Sequence, residues 1–173
     1  YRKTFDMPTT AIGKRVSIQL EGIYRNSDVW INGHHLGHRP YGYSTFSYDL
    51  TPYLNTDCKK NVLAVKVNTS QQPNSRWYTG AGIYRNVWLH ISGRTYLPEN
   101  GVFVHTKKLT DKQAELAVSA EISTLDIDSR PLKLRLTLAD SLQKIVSEKI
   151  IPFEFKRKKK HQINSEMIVE APL

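Results

Sequence analysis

The chain has 173 residues, a formal charge of +9, 39% hydrophobic residues and a single cysteine. This length suits one ordinary domain or two small ones, and it is too short for a TIM barrel, which needs about 250 residues. One cysteine excludes a disulfide framework and a cysteine-based zinc site, and no stretch approaches the ~18 consecutive apolar residues of a membrane span.

The chain begins at Tyr1, without an initiator methionine and already within the strand-like alternation of residues 1–6. It ends directly after the strand-like segment Met167–Val169. We therefore expect it to be a piece of a longer protein. Because a targeting peptide would then lie outside the chain, the compartment stays undetermined, and export of the parent protein to the periplasm or the cell exterior stays open.

Amino-acid usage changes near Arg94. All three tryptophans, eight of the nine tyrosines and eight of the nine glycines lie in residues 1–94. This part carries 12 basic and 5 acidic residues, whereas residues 95–173 carry 13 and 11. The change falls within residues 93–101, where proline and glycine are typical of a connection between modules. We predict two domains, residues 1–94 and residues 95–173.

Alternation of apolar and polar residues with a period of two predicts half-buried strands in the first part. Asn32-Gly33 separates two further strand candidates and best tolerates the positive φ angles of a type I′ hairpin. Thr51-Pro52 predicts a single helical turn, with threonine as the cap and proline at the first helical position. The alternating segments are Val16–Leu20, Leu63–Val67 and Val87–Ile91.

The second part has the same character. Short strand candidates are separated by turn signals, without long helical periods between them, and this pattern favours antiparallel β-sandwiches. We therefore predict an all-β fold. The strand candidates are Val102–Val104, Glu115–Val118, Leu132–Leu138 and Glu166–Val169.

The sequence contains none of the motifs for a nucleophile elbow, a P-loop or a dinucleotide-binding turn. Glycoside hydrolysis needs two carboxylates across a cleft, and the aromatic first part has only five acidic residues. Two of them, Asp28 and Asp49, lie in turn-forming or strand-end contexts. We assign no catalytic residue and no cofactor, and we expect that the chain is not catalytic by itself.

A histidine cluster and a basic run suggest metal binding and nucleic-acid binding. His34, His35 and His38 are close enough in sequence to suggest a metal site, but a strand would point His34 and His35 to opposite faces, so we assign no metal ligand. The basic run 156–161 lacks interleaved aromatic residues and lies between two strand candidates. We interpret it as a solvated hairpin loop and expect no nucleic-acid partner.

The segment 71–89 is a polar, glycine-containing loop that leads into a strand. Such a loop can present the rings of Trp77 and Tyr78 to the C–H face of a sugar, while asparagine and arginine bond to its hydroxyls. Alternatively, the two rings close the edge of the sandwich and Arg76 pairs with a carboxylate. The residue types alone do not decide between these interpretations.

Five blocks, in order and at matching spacing, resemble the N-terminal domain of family 2 glycoside hydrolases. Residues 95–173 are similar, in position and strand pattern, to the immunoglobulin-like domain that follows in those enzymes. The resemblance implies a jelly-roll (galactose-binding-like) β-sandwich, truncated at its N-terminus, followed by an immunoglobulin-like β-sandwich. The blocks are Tyr1–Phe5, Asp28–Gly37, Tyr41–Thr51, Asn61–Val65 and Ser75–Leu89.

In the parent protein, the resemblance implies a further TIM barrel with two catalytic glutamates and a retaining mechanism. Residues 75–85 are most similar to β-galactosidase-type members, with β-glucuronidases and β-mannosidases as neighbours. The implied parent hydrolyses terminal β-D-galactosides, and this chain scaffolds the missing barrel. Because the family's corresponding loop approaches the active-site mouth, Asn74, Arg76 and Trp77 are implied to bind substrate, with Asn74 standing where some members carry an acidic residue.

Two other functions stay open, an independent carbohydrate-binding module and a structural piece that forms a homo-oligomer. We also predict that Arg85 pairs with Asp49, because both are isolated charges in apolar contexts.

Overall fold

The computed structural model describes residues 1–56, 59–71, 80–126 and 130–170. The chain forms two compact units, Tyr1–Gly93 and Arg94–Leu173, which we call unit 1 and unit 2. Regular structure in the described ranges consists of fifteen β-strands and two single-turn 3₁₀ helices, Thr9–Ala11 and Thr51–Tyr53. The predicted all-β class is therefore confirmed. None of these helices is long and apolar enough to cross a membrane.

Unit 1 contains the first nine strands, and every pairing among them is antiparallel. The strands are β1 (Arg2–Phe5), β2 (Arg15–Leu20), β3 (Ile23–Tyr24), β4 (Ser27–Ile31), β5 (His34–Arg39), β6 (Phe46–Asp49), β7 (Asn61–Val67), β8 (Gly82–Ile83) and β9 (Val87–Ser92). They form a four-stranded sheet in the order β1-β7-β4-β5, a three-stranded sheet in the order β6-β2-β9, and the short pair β3-β8.

The core of unit 1 lies between its two larger sheets. Ile18 and Leu20 of β2 pack with Val29 and Ile31 of β4, and all four side chains are buried. Because these residues come from two different sheets, unit 1 is a β-sandwich. The alternation that predicted β2 and β7 is thus confirmed as the pattern of an inward-facing strand surface.

Strand β9 differs from the prediction in its burial. The alternation over Val87–Ile91 predicted one buried face, but Val87, Leu89 and Ile91 are all exposed. The physical reason is that β9 forms the edge of the three-stranded sheet and pairs only with β2 among the described strands. Periodicity identifies a strand but does not show whether the strand is central or at an edge.

The predicted hairpin between β4 and β5 is confirmed. Asn32 and Gly33 have φ angles of 50° and 86°, which are the positive values that a type I′ turn requires. The Asn32 side chain also donates from Nδ2 to the Tyr53 carbonyl at 2.7 Å and accepts from the Val62 N–H at 2.9 Å. Asn32 therefore fastens the turn to strand β7 as well as shaping it.

The single helical turn predicted at Thr51 is also present, but its capping differs. Leu50 occupies the N-cap position, and the Asp49 carboxylate accepts the Thr51 N–H at 2.9 Å. The Thr51 hydroxyl instead accepts from the Val16 N–H at 3.0 Å, which joins the turn to β2. The Thr51 hydroxyl thus links the helical turn to β2, and the Asp49 carboxylate accepts the N–H group at the start of the turn.

The predicted pairing of Arg85 with Asp49 is wrong. Asp49 Oδ2 lies 3.1 Å from Nε of Arg15, while Arg85 is exposed. Arg15 and Asp49 come together because β2 and β6 are antiparallel neighbours, with Ser17 opposite Asp49. A cation close in the sheet was available to the carboxylate, and the sequence did not show this adjacency.

Unit 2 contains six strands. They are β10 (Thr95–Tyr96), β11 (Val102–Leu109), β12 (Gln113–Thr124), β13 (Leu132–Ala139), β14 (Ile145–Phe153) and β15 (Lys160–Glu170). The long strand β12 pairs with β10, β11 and β15, and β13 pairs with β14. Buried Ile122 and Ile163 of the first sheet pack with Leu134 and Ile151 of the second, so unit 2 is likewise a two-layer structure.

The basic run 156–161 lies where it was predicted, between β14 and β15. Lys156 and Arg157 have positive φ angles of 47° and 63° and are exposed, as expected for a solvated turn. The last two residues of the run already belong to β15, where Lys160 Nζ lies 2.9 Å from Oε1 of Glu121. The run is therefore partly a loop and partly the start of a strand.

Candidate functional site

The three residues predicted to bind substrate, Asn74, Arg76 and Trp77, fall in residues 72–79 and lie outside the described residues, as does Tyr78. The structure describes the chain on both sides of this segment. The candidate site is therefore built from the residues that hold its two ends.

Both ends of the segment 72–79 are held by residues 23–26. Before the segment, the Arg25 guanidinium donates to the carbonyl of Gln71, and Asn26 Nδ2 donates to Gln71 Oε1 at 3.3 Å. After the segment, strand β8 pairs with strand β3. Since β3 runs directly into Arg25 and Asn26, one short stretch of chain holds both Gln71, which precedes the segment, and strand β8, which follows it.

Three exposed tyrosines, Tyr41, Tyr43 and Tyr84, form what we call the tyrosine cluster. The Tyr43 ring centroid lies 5.7 Å from that of Tyr41 and 6.3 Å from that of Tyr84, in edge-to-face contacts. Tyr24 of β3 is buried next to the cluster, 5.4 Å from Tyr43. The three cluster residues are 64%, 49% and 49% exposed, so about half or more of each residue is available to a ligand.

Two glycines allow the rings to lie this close to the backbone. Tyr84 Oη donates to the Gly42 carbonyl at 2.9 Å. A Cβ on Gly42 would lie 2.5 Å from the Tyr24 ring, and a Cβ on Gly22 would lie 2.6 Å from the Tyr84 ring. Any larger residue at these two positions would displace a ring, so the glycines set the geometry of the cluster.

The arrangement is suited to binding a sugar ring. Tyrosine rings stack on the apolar C–H face of a pyranose, and phenolic hydroxyls donate to and accept from its hydroxyl groups. Hydrolysis by a retaining glycosidase needs two carboxyl groups about 5 Å apart, and the tyrosine cluster supplies none.

A second polar group lies on the β4–β5 hairpin. Asp28 Oδ1 lies 3.0 Å from Nε2 of His35 and 3.2 Å from Nδ1 of His38. The two histidines share a side of β5 because Leu36 is an extra residue in the pairing with β4, which shifts the register by one. The third histidine, His34, stacks on Tyr53 instead, with ring centroids 4.8 Å apart.

These histidines form a hydrogen-bonded group with one carboxylate. Within the part of the chain that the structure describes, no set of three histidine, cysteine, aspartate or glutamate side chains has the arrangement of a metal site. Partial burial raises the pKa of Asp28, but the hydrogen bonds and charges of His35 and His38 outweigh it and hold this pKa below its usual value.

The Asp28→Asn variant is expected to be less stable than the original protein near pH 6, by less than about 1 kcal/mol because the carboxylate is partly solvated. A lowered pKa means that the carboxylate stabilises the fold above its unfolded-state pKa and loses this effect as the pH falls through the folded-state value. Urea midpoints of both proteins should therefore converge as the pH falls through the lowered pKa of Asp28. A difference between the two urea midpoints that stays constant from pH 6 to pH 2 would contradict the stabilising role of the Asp28 carboxylate.

The sequence interpretation located the segment 72–79 but missed the tyrosine cluster and Arg25. A signal was present, because Tyr41-Gly42-Tyr43 and Gly82-Ile83-Tyr84 both place glycine within two residues of tyrosine in turn-like contexts. What the sequence did not show is that the two segments contact each other across 42 positions of the chain.

Comparison with known proteins adds independent information. The family described as glycosyl hydrolases family 2, sugar binding domain, matches residues 1–92. The β-galactosidase BoGH2A of Bacteroides ovatus is 48% identical over 143 residues, covering 83% of this chain and 16% of that protein. A β-glucuronidase of Formosa agariphila is 32% identical over 161 residues, covering 82% of this chain and 16% of that protein.

The fold has a counterpart among solved structures. A glycosyl hydrolase family 2 member from Bacteroides cellulosilyticus superposes with a TM-score of 0.92 at 31% identity, covering 99% of this chain and 23% of that one. The predicted class, an all-β jelly-roll sandwich followed by an immunoglobulin-like sandwich, is thereby confirmed. The chain spans less than a quarter of the length of each of these relatives. With the family match over residues 1–92 and the shared fold, the chain belongs to glycosyl hydrolase family 2 and carries that family's sugar-binding domain.

Proposed function

We propose that this chain is the non-catalytic N-terminal part of a β-galactosidase-like glycoside hydrolase. In this proposal, residues 1–94 are the sugar-binding jelly-roll domain and residues 95–173 are the immunoglobulin-like domain. Together they scaffold a TIM-barrel domain of the longer protein and contribute one wall of its sugar-binding site. The reaction, hydrolysis of terminal β-D-galactosides by a retaining mechanism, then belongs to two carboxylates of the barrel.

The observation that carries this proposal is the double anchoring of the segment 72–79. Arg25 and Asn26 hold Gln71 at one end, and the β3–β8 pairing holds the other end. A loop with fixed ends presents its side chains at lower entropic cost than a free loop does. Exposed tyrosine faces lie next to this base, so the anchored segment and the cluster together supply aromatic and polar groups suited to a sugar.

The roles of the individual residues follow from their chemistry. The indole of Trp77 would stack on the C–H face of the sugar, as aromatic side chains do with apolar surfaces. The Arg76 guanidinium and the Asn74 amide would hydrogen-bond to its hydroxyls, with arginine supplying only donors and asparagine both donors and acceptors. Their contribution is positioning, since a substrate held in the reactive geometry lowers the barrier for groups outside this chain.

A second substrate class has support of its own. The relative from Formosa agariphila is named a β-glucuronidase, so a parent that acts on β-D-glucuronides is the alternative. The β-galactosidase assignment is favoured because the relative with that name shares 48% identity over 143 residues, whereas a putative β-glucuronidase of Formosa agariphila shares 41% over 122 residues. Hydrolysis rates of the longer protein on p-nitrophenyl β-D-galactoside and on the corresponding glucuronide separate the two.

The test of the proposed wall uses the longer protein that contains this chain. Trp77→Ala and Arg76→Ala are each expected to lower kcat/KM for an aryl β-D-galactoside about tenfold, with little change in Tm, because in this proposal both side chains contact the substrate. Trp88→Ala is the matched control, since Trp88 is 50% exposed on edge strand β9. Unchanged kcat/KM in both loop variants would remove these residues from the site.

A further inference from the structure

In unit 2, one face of the sheet formed by β10, β11, β12 and β15 combines an exposed aromatic ring with a row of polar side chains. In the antiparallel register, Phe103 of β11 lies opposite Ser119 of β12, and Ser119 lies opposite Asn164 of β15. Two adjoining open grooves, of about 560 and about 360 Å³, lie on this face and share Ser119. We call it the polar sheet face, and its residues are Phe103, His105, Lys107, Ser119, Gln162, Asn164 and Glu166.

The aromatic part of this face is open to solvent. Phe103 is 61% exposed, and its ring lies 5.4 Å from that of His105 with an angle of 33° between the planes. Two neighbouring rings at a shallow angle make a small platform on a face that is otherwise polar. A platform of this kind can stack against the C–H face of a pyranose ring.

The polar part is a connected row of hydrogen bonds. Gln162 Nε2 donates to the Ser119 hydroxyl at 2.7 Å, and this hydroxyl donates to Asn164 Oδ1 at 2.8 Å. The row leaves the amide oxygen of Gln162 and the amide N–H groups of Asn164 without partners among the residues that the structure describes. An acceptor at one end and donors at the other match neighbouring hydroxyls of a sugar, each of which can donate and accept.

Charged groups close one end of the larger groove. The ammonium of Lys107 pairs with the Glu166 carboxylate, and Lys149 Nζ donates to the Glu166 carbonyl at 3.3 Å. The hydrogen bond from Lys107, followed by its charge, lowers the pKa of Glu166, so the carboxylate stays ionised and accepts further hydrogen bonds. Lys149 offers two more N–H donors, because an ammonium group carries three.

We propose that the polar sheet face binds an extended oligosaccharide, with one pyranose ring on Phe103 and the next ring hydrogen-bonded along Gln162, Ser119 and Asn164. Residues on one face of a strand recur about every 6.8 Å, so the rows from Phe103 to Lys107 span more than one ring position. The groove volumes lie within the usual range for small-molecule sites.

A sugar fits this surface better than a protein partner does. A protein that covered the face would have to satisfy the amides of Gln162 and Asn164 and the Lys107–Glu166 pair, because a buried polar group without a partner weakens the complex. A sugar brings a hydroxyl on nearly every carbon and keeps the charged groups partly hydrated. This site lies wholly in unit 2 and goes beyond the proposed function, which concerns the loop of unit 1.

The experiment is affinity gel electrophoresis of the intact longer protein in gels that contain pectic galactan, polygalacturonate or no polysaccharide. We expect retardation by at least one polysaccharide, with the apparent affinity falling at least fivefold in Phe103→Ala and in Asn164→Ala. Leu142→Ala, which removes an 85% exposed apolar side chain outside the polar sheet face, is the control and should migrate like the original protein. Stronger retardation by the acidic polygalacturonate than by the neutral galactan would show that Lys149 selects a carboxylate.

Two outcomes would overturn the proposal. One is that neither polysaccharide retards the protein, and the other is that both face variants are retarded as strongly as the original protein. Hydrolysis of a small aryl galactoside is measured in parallel and should be unchanged in Phe103→Ala, because the proposed wall of the catalytic site is in unit 1. Loss of retardation with unchanged hydrolysis separates this site from the proposed function.

Discussion

Replacing Asn61 by alanine is expected to lower the free energy of unfolding of unit 1 by about 3 kcal/mol, because it leaves several buried polar groups without partners. The Asn61 side chain is fully buried and accepts at Oδ1 from Asn32 Nδ2 and from the Asn55 N–H, both at 2.8 Å. It also donates from Nδ2 to the Asn55 carbonyl at 3.2 Å. The Asn61 side chain thus joins strand β7 to the β4–β5 turn and to Asn55, which follows the 3₁₀ helix Thr51–Tyr53.

The measurement is urea unfolding, followed by a signal from unit 1. Asn68→Ala is the matched control, since Asn68 is exposed and its side chain, among the described residues, accepts only local bonds from Ser70. We expect the control to shift the free energy of unfolding by less than about 0.5 kcal/mol, as is usual for surface substitutions. Equal midpoints for the Asn61 and Asn68 variants would show that the buried network does not stabilise unit 1.

In the longer protein, Gly22→Ala is expected to lower kcat/KM for an aryl β-D-galactoside by about 10- to 100-fold, because a misplacement of about 1 Å near a site can cost this much. The new Cβ would lie 2.6–2.8 Å from two ring atoms and the hydroxyl oxygen of Tyr84. Tyr84 is 49% exposed, so its ring can move and the fold tolerates the change. The movement breaks the Tyr84 bond to the Gly42 carbonyl and distorts the tyrosine cluster.

Two further glycine variants make this prediction specific. At Gly42 a Cβ would lie 2.5 Å from the ring of buried Tyr24 and 3.1 Å from its Cα, so Gly42→Ala should reduce Tm as well as activity. At Gly80 a Cβ would meet no heavy atom of the described residues within 4 Å, so Gly80→Ala should change neither Tm nor activity. If Gly22→Ala keeps full activity, the tyrosine cluster does not contribute to the sugar site.

The elements of the fold were predictable where a local pattern decides the structure. Alternation over Val16–Leu20 and Leu63–Val67 identified β2 and β7, because only one face of each strand packs on the core. Asn32-Gly33 identified the hairpin, because few residue pairs adopt two successive positive φ angles cheaply. Each of these predictions depends on residues within one strand or one turn.

Contacts between distant segments were not predictable in this way. The Asp49 carboxylate selects Arg15 because β2 and β6 are neighbours, and local charge patterns do not show which strands are adjacent. The extra residue in β5 brings His35 and His38 onto one carboxylate, although strict alternation would place residues three apart on opposite faces. Strand order and bulges therefore account for these differences.

The candidate site was likewise predictable only in part. The family resemblance pointed to Asn74, Arg76 and Trp77, whose roles stay predictions, since all three lie outside the described residues. The anchoring by residues 23–26 and the tyrosine cluster depend on contacts between segments that are about 40 residues apart or more, such as Arg25 with Gln71 and Tyr43 with Tyr84. Only the folded chain shows these contacts.

The central claim, that unit 1 forms one wall of a sugar-binding site, is tested most directly by hydrogen exchange of the longer protein with and without isopropyl thio-β-D-galactoside. Peptides covering residues 71–84 are expected to exchange more slowly with the ligand bound, because the segment and its anchors are then held against the sugar. Peptides of the β4–β5 hairpin, residues 27–39, should be unchanged. Equal exchange of residues 71–84 with and without saturating ligand would contradict the claim.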